Sequence, residues 1–350
     1  MSRTELGTLG EFGLIDRIKA GFETRHQSST IKGIGDDCAV IDLGNDEVLV
    51  ISTDFLVEGV HFDLSYTPLK HLGYKSVAVN VSDVAAMNAV PTQITVSVAL
   101  SNRFSVEAVD ELYAGIAAAS DIYKVDVVGG DTTSSLKGLI ISITVIGRAK
   151  KSEIAYRSGA KVGDVVCVTG DLGGAYAGLQ VLEREKQEFL ANPAMQPQLD
   201  QKDYIVQRLL KPEARMDVVY ELKEKGVIPN SMIDISDGLA SEILHICTAS
   251  NVGVLLYEDK LPVEQDTLNA LYEFKIDTTT AALNGGEDYE LLFTVSLEDF
   301  EKIKNQPDII AIGLINEKEK GHHLVSGKGY LYPIKAQGWN HLSEENKENK

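Results

Sequence analysis

Runs rich in Val, Ile and Thr at residues 48–52, 94–100, 126–128 and 139–147 predict β-strands. Two helical patterns lie among them. Thr67 followed by Pro68 reads as an N-cap with proline at the first helical position, opening a helix to about Ala86. Val106, Val109, Leu112, Tyr113 and Ile116 form an apolar stripe at helical spacing. The chain then turns polar over residues 150–163 and restarts with a strand at 165–169, a glycine-rich turn at 170–174 and a helix through about Glu185. Residues 193–201 read as a loop. Ser236 is placed to cap a helix with the stripe Leu239, Ile243 and Ile246. Strands alternating with helices predict an α/β class with α+β-like mixed sheets, in two domains. The boundary is expected near Lys150, giving residues 1–150 and 151–342, with the polar residues 343–350 as a disordered tail.

The chain has 350 residues, 44% of them hydrophobic and 24% charged, which excludes wholesale disorder and leaves enough apolar side chains for a large core. Its net charge is −19, divided as −7 through Lys150 and −12 beyond it. Neither half offers a broad basic face, so no nucleic-acid partner and no membrane partner are expected. The apolar runs are too short to span a bilayer, and no basic-then-apolar leader opens the chain. Cys38, Cys167 and Cys247 have neither metal-site nor disulfide spacing. They read as small core residues in a cytoplasmic protein.

An anionic ligand would therefore need local help, yet the familiar phosphate-binding signatures are missing. There is no G-x-x-x-x-G-K-[ST], no G-x-G-x-x-G after a strand and no protein-kinase signature set. Instead, Gly, Ser or Thr repeatedly stands beside an acid. The instances are Gly35-Asp36-Asp37, Ser52-Thr53-Asp54, Ser82-Asp83, Gly129-Gly130-Asp131, Asp234-Ile235-Ser236-Asp237 and Gly285-Gly286-Glu287-Asp288. One such motif is an ordinary turn; a series of six, mostly after strand-like stretches, predicts an acidic rim along one edge of a sheet. Two carboxylates about 4 Å apart repel by roughly 4 kcal/mol at an effective dielectric of about 20, so cations or protons must intervene. Oxygen donors without paired His or Cys favour hard cations such as Mg²⁺, which complete their shell with water and phosphate. The 170–174 turn, Ser236 and Arg148 are further phosphate candidates, each with a plain structural alternative.

Taken in order, these motifs resemble the thiamine-monophosphate kinase family, within the aminoimidazole-ribonucleotide-synthetase superfamily of ATP-using enzymes. The stretches Val57-Glu58-Gly59-Val60-His61-Phe62 and Asn80-Val81-Ser82-Asp83-Val84-Ala85-Ala86-Met87 add to the likeness, which runs from Gly10-Glu11-Phe12 to Trp339. The resemblance implies two α/β domains, the first dimerising through its sheet into a homodimer. It implies phosphorylation of thiamine monophosphate to thiamine diphosphate, with ATP as co-substrate and several Mg²⁺ ions. Carried onto this chain, Asp37, Ser52, Thr53, Asp54, Asp83, Asp131, Asp234 and Asp237 would hold metal. Tyr113, Gly130, Asp131, Arg148 and Ser236 would contact ATP, and His61, Glu287 and Trp339 would lie by thiamine monophosphate. No residue is required as a general base. Asn88 stands where the family has glycine, and Asn tolerates the left-handed conformation that such a turn needs. A metal-dependent phosphohydrolase and an acidic cation-binding module share the Asp-rich signature and remain as alternatives.

Overall fold

The structure is a computed structural model, which describes residues 8–22 and 27–337. After α1 (Gly10–Lys19), the first half contains β1 (Thr30–Lys32), β2 (Ala39–Gly44), β3 (Glu47–Val57), α2 (Leu69–Ala86), β4 (Val90–Leu100), α3 (Val106–Tyr123), β5 (Asp126–Ser134) and β6 (Ile140–Lys150). Its six strands form one sheet in the order β1-β2-β3-β6-β4-β5, antiparallel except for the parallel β4–β5 pair. The mixed sheet agrees with the expected fold class.

Alternation fixes the two faces of this sheet. Val48, Val50 and Leu56 of β3 and Ile141, Ile143 and Val145 of β6 are buried beneath α2. Leu49, Thr53, Phe55 and Arg148 leave by the opposite face. Helix α2 is buried on nearly every side, its polar residues Lys75, Ser76, Asn80 and Ser82 included. It crosses α3 where Gly73 and Gly115 let the backbones meet; a Cβ at Gly73 would sit 2.0 Å from the Leu112 carbonyl oxygen. Pro68, not Thr67, occupies the cap position of α2, and no side chain caps it.

The second half contains β7 (Val165–Thr169), α4 (Gly174–Ala191), α5 (Asp203–Leu210), α6 (Met216–Glu224), β8 (Ser231–Asp234), α7 (Leu239–Ser250), β9 (Gly253–Tyr257), α8 (Gln265–Phe274), α9 (Thr278–Asn284), β10 (Leu291–Val295), α10 (Leu297–Ile303), β11 (Ile309–Asn316), β12 (His322–Val325) and β13 (Leu331–Pro333). The strand order is β13-β12-β9-β11-β7-β10-β8. Central strands β7 and β10 and edge strand β8 are buried along their whole length.

One apolar core runs from Val50, Val81 and Ile143 in the first half to Cys167, Met232 and Phe293 in the second, so the halves are packed together. All three cysteines are buried and free. Asn88 adopts φ 53°, the left-handed conformation expected of it. Helix α4 continues past Glu185 to Ala191, and Gly238, not Ser236, takes the cap position of α7. Among the described residues no helix is long and apolar enough to cross a membrane.

Candidate active site

Three carboxylates far apart in sequence meet at the junction of the two halves. Asp37 comes from the turn before β2, Asp83 from the last turn of α2, and Asp234 from the end of β8. Each offers an oxygen within 4.8 Å of the others. Hydroxyls hold them in place: Ser52 Oγ donates to Asp83 Oδ2 at 2.5 Å, and Ser82 Oγ to Asp234 Oδ2 at 2.6 Å. Asp54 leaves β3 on the same face as Ser52, and its N–H donates to Asn80 Oδ1 on α2 at 3.1 Å. The expected rim of strand ends is thus corrected. Asp83 belongs to a helix and Asp54 to the middle of a strand, so the carboxylates meet where α2 lies between β3 and β8.

The centre is short of positive charge. Burial, followed by the charge of Asp37, pushes the Asp234 carboxyl up to about 7. Burial together with Asp54, Asp234 and Asp37 drives Asp83 well above the ordinary range. Asp54 is raised by desolvation and by Asp37. Arg157 is the cation on Asp37, with Nη2 2.7 Å from Oδ1, but burial still leaves the Asp37 carboxyl raised. The Arg157 N–H is itself held by Asp36 Oδ1 at 3.0 Å. Donors that are all oxygen and a surplus of buried negative charge fit a hard divalent cation.

Other expected residues are placed differently. Thr53 turns to the open face, where its hydroxyl donates to the Ile143 carbonyl and accepts from Thr144, both at 3.1 Å. Arg148 leaves by that face too, so within the chain it does not join the carboxylates. Asp131 is exposed on edge strand β5, outside the trio. Gly130 beside it has φ 157°, and a Cβ there would lie 1.8 Å from the Val96 carbonyl oxygen, which alone accounts for glycine. Tyr113 is half-buried on α3 against the main core. His61 Nδ1 accepts the Val57 N–H at 3.0 Å and so closes the turn after β3.

Ser236 is exposed, and its carbonyl accepts the Glu287 N–H at 2.6 Å. The Asp237 N–H donates to buried Glu242 at 3.1 Å. Glu287 therefore lies beside the loop that follows Asp234. Trp339 and the expected tail at 343–350 lie outside the described residues. The 170–174 turn does hold an anion, but one of the chain's own: the Gly173 N–H donates to both oxygens of Asp288, at 2.9 and 3.1 Å.

A second gathering of acids stands behind that turn. Glu290 is paired with Arg208 at 3.0 Å and Arg215 at 2.7 Å, and Thr169 Oγ1 donates to it at 2.5 Å. Burial pushes Asp288 up to about 7, opposed by Arg208. The cleft beside it, about 650 Å³ and lined by Tyr204, Lys211 and Pro262 among others, does not include Asp37, Asp83 or Asp234.

Both halves of the chain have counterparts in known proteins. Residues 35–149 match the N-terminal domain of AIR synthase related proteins, and residues 161–308 match the C-terminal domain. The thiamine-monophosphate kinase of Bacillus subtilis (strain 168) is 35% identical over 341 residues, covering 95% of this chain and 100% of that protein. That of Aquifex aeolicus (strain VF5) is 35% identical over 337 residues, covering 96% of this chain and 99% of that protein. The chain belongs to the thiamine-monophosphate kinase family. A solved structure of AaThiL complexed with AMPPCP and TMP has a TM-score of 0.82 with this chain at 33% identity, covering 97% of this chain and 100% of that one.

Four residues of this thiamine-monophosphate kinase family member escape a reading by motif. Arg157 stands in a polar stretch where surface ion pairs are the norm. Lys75 is the charged residue inside the otherwise uncharged 72–81 stretch of α2, and Glu242 stands beside the stripe of α7; each is an ionisable group at a buried position. Tyr289 directly follows the Gly285-Gly286-Glu287-Asp288 motif. It is buried at φ 52°, and burial with the charges of Glu287, Asp54, Asp234 and Asp83 holds its hydroxyl well above the usual range.

Proposed function

We propose that the protein transfers the γ-phosphoryl group of ATP to the phosphate of thiamine monophosphate, giving thiamine diphosphate and ADP, in a direct in-line, Mg²⁺-dependent reaction. The observation that carries this reading is the buried, cation-poor meeting of Asp37, Asp83 and Asp234, contributed by both halves of the chain. Asp37, Asp83 and Asp234 would hold the ions, with Ser52 and Asp54 beside them. Bound Mg²⁺ would neutralise phosphate charge, which is the main obstacle when two polyanions must approach. Arg157 supplies the protein's own cation at the same place. Glu287 supplies negative charge toward the positively charged ring of the acceptor.

The attacking group is a phosphate whose second pKa is about 6, so it is largely deprotonated at neutral pH and needs no general base. In this division of labour residues 1–150 carry most of the metal and ATP contacts, and residues 151–342 complete them. A homodimer through the first sheet belongs to the same reading. Strand β5 is an exposed edge, and Phe55, Val127 and Val128 leave apolar surface uncovered.

Incubation with ATP, Mg²⁺ and thiamine monophosphate, followed by separation of the products, tests the proposal. Thiamine diphosphate and ADP in equal amounts are the expected result. Inorganic phosphate alone would mean a hydrolase, and no nucleotide-dependent product would mean a cation-binding module.

A further inference from the structure

A lysine ammonium is removed from water only at considerable cost unless it is paired. Lys75 is 3% exposed in the middle of α2, and among the described residues its ammonium bonds to two groups, both in the second half of the chain. Nζ lies 2.7 Å from Glu287 Oε2 and 3.2 Å from the Leu209 carbonyl oxygen. Glu287 is equally constrained. Its backbone is left-handed at φ 58°, an uncommon conformation for a residue with a side chain. Its N–H is tied to the Ser236 carbonyl, and the Tyr289 N–H to the Ile235 carbonyl at 2.8 Å. The side chain keeps 29% of its surface open. Lys75 therefore fixes one carboxylate oxygen of Glu287, while the residue remains partly accessible.

Ser82, which holds Asp234, stands seven residues after Lys75 and so on the same face of α2 two turns on, about 10 Å along the axis. One helix face thus braces the second half at two points: the carboxylate centre and Glu287. We infer that Lys75 is a positioning residue for the acceptor. By holding Glu287 it sets where the cationic ring sits relative to the carboxylate centre. This rests on the proposed acceptor being thiamine monophosphate.

Wild-type formation of thiamine diphosphate is measured first; its absence would sink the functional reading itself. Lys75→Met and Lys75→Gln are then compared with Glu287→Gln and with the Lys75→Met/Glu287→Gln double variant, which leaves no unpaired charge. KM for thiamine monophosphate should rise about tenfold in the single variants and KM for ATP should stay within about twofold, a split that a general loss of structure would not give. The double variant should match Glu287→Gln within about twofold, because Lys75 has nothing left to position. With a competent wild type, an unmoved acceptor KM in Lys75→Gln, an equal rise in both KM values, or additive effects in the double variant would each overturn the role given to Lys75.

Discussion

The chain encloses two groups of carboxylates, and their charges are balanced differently. Glu290 has its countercharges built in, Arg208 and Arg215, while Asp288 beside it is held by the Gly173 N–H and is still pushed up to about 7 by burial. Among the described residues Arg157, on Asp37, is the one cation paired with Asp37, Asp83 or Asp234, and all three carboxyls are raised. Desolvation acts on both groups; the supply of cations separates them. A cluster that brings its own arginines holds the fold together, whereas one left short of positive charge is completed by something from solution.

Asp83→Asn should break this contrast most severely. Turnover at saturating Mg²⁺ should fall by about a thousandfold, and Asp54→Asn should follow it, with the circular dichroism spectrum unchanged. Near-normal turnover in both would remove the centre's role. Glu290→Gln should act through stability instead. It removes the buried carboxylate that half-buried Arg208 and Arg215 share and should cost about 3 kcal/mol in urea unfolding. An unaltered midpoint would mean that the second group is not structural.

The pH dependence of melting should show the cation deficit directly. The Asp234 carboxyl lies near 7 in the folded chain against 3.8 for an ordinary carboxyl, so folding favours its protonated form. With chelator present, its stabilising contribution is complete below about pH 4 and is lost as pH rises through 7. Scanning calorimetry should show that fall, with a shallower one in Asp234→Asn and in excess Mg²⁺. Identical slopes in all three would contradict the assignment. The smallest effect is expected from Arg148→Gln, which should change Mg²⁺ affinity by less than about twofold because its side chain leaves on the face away from the carboxylates.

The contrast also explains what sequence could and could not reveal. Strand β7 and the membership of Asp37, Asp83 and Asp234 were legible, because apolar runs and Ser-Asp or Gly-Asp pairs are local features. Which face a residue takes was not legible: Thr53 and Asp54 are neighbours in one motif, and the pleat sends them to opposite sides of the sheet. The same alternation removed Arg148 from the centre. Arg157 was hidden in a polar stretch, although folding lays that stretch against Asp37. Ser236 had the composition of a helix cap, but the tight turn at Gly238, φ 117°, starts α7 two residues later. The glycine turn at 170–174 has a composition that suits an anion site and an ordinary turn alike, and only the fold shows Asp288 already in it.

Anomalous diffraction from crystals soaked with Mn²⁺ and a non-hydrolysable ATP analogue asks the central question most directly. The account predicts metal peaks against Asp37, Asp83 and Asp234 and none against Asp288 and Glu290. Peaks at the second group, or no peak at the first, would contradict it.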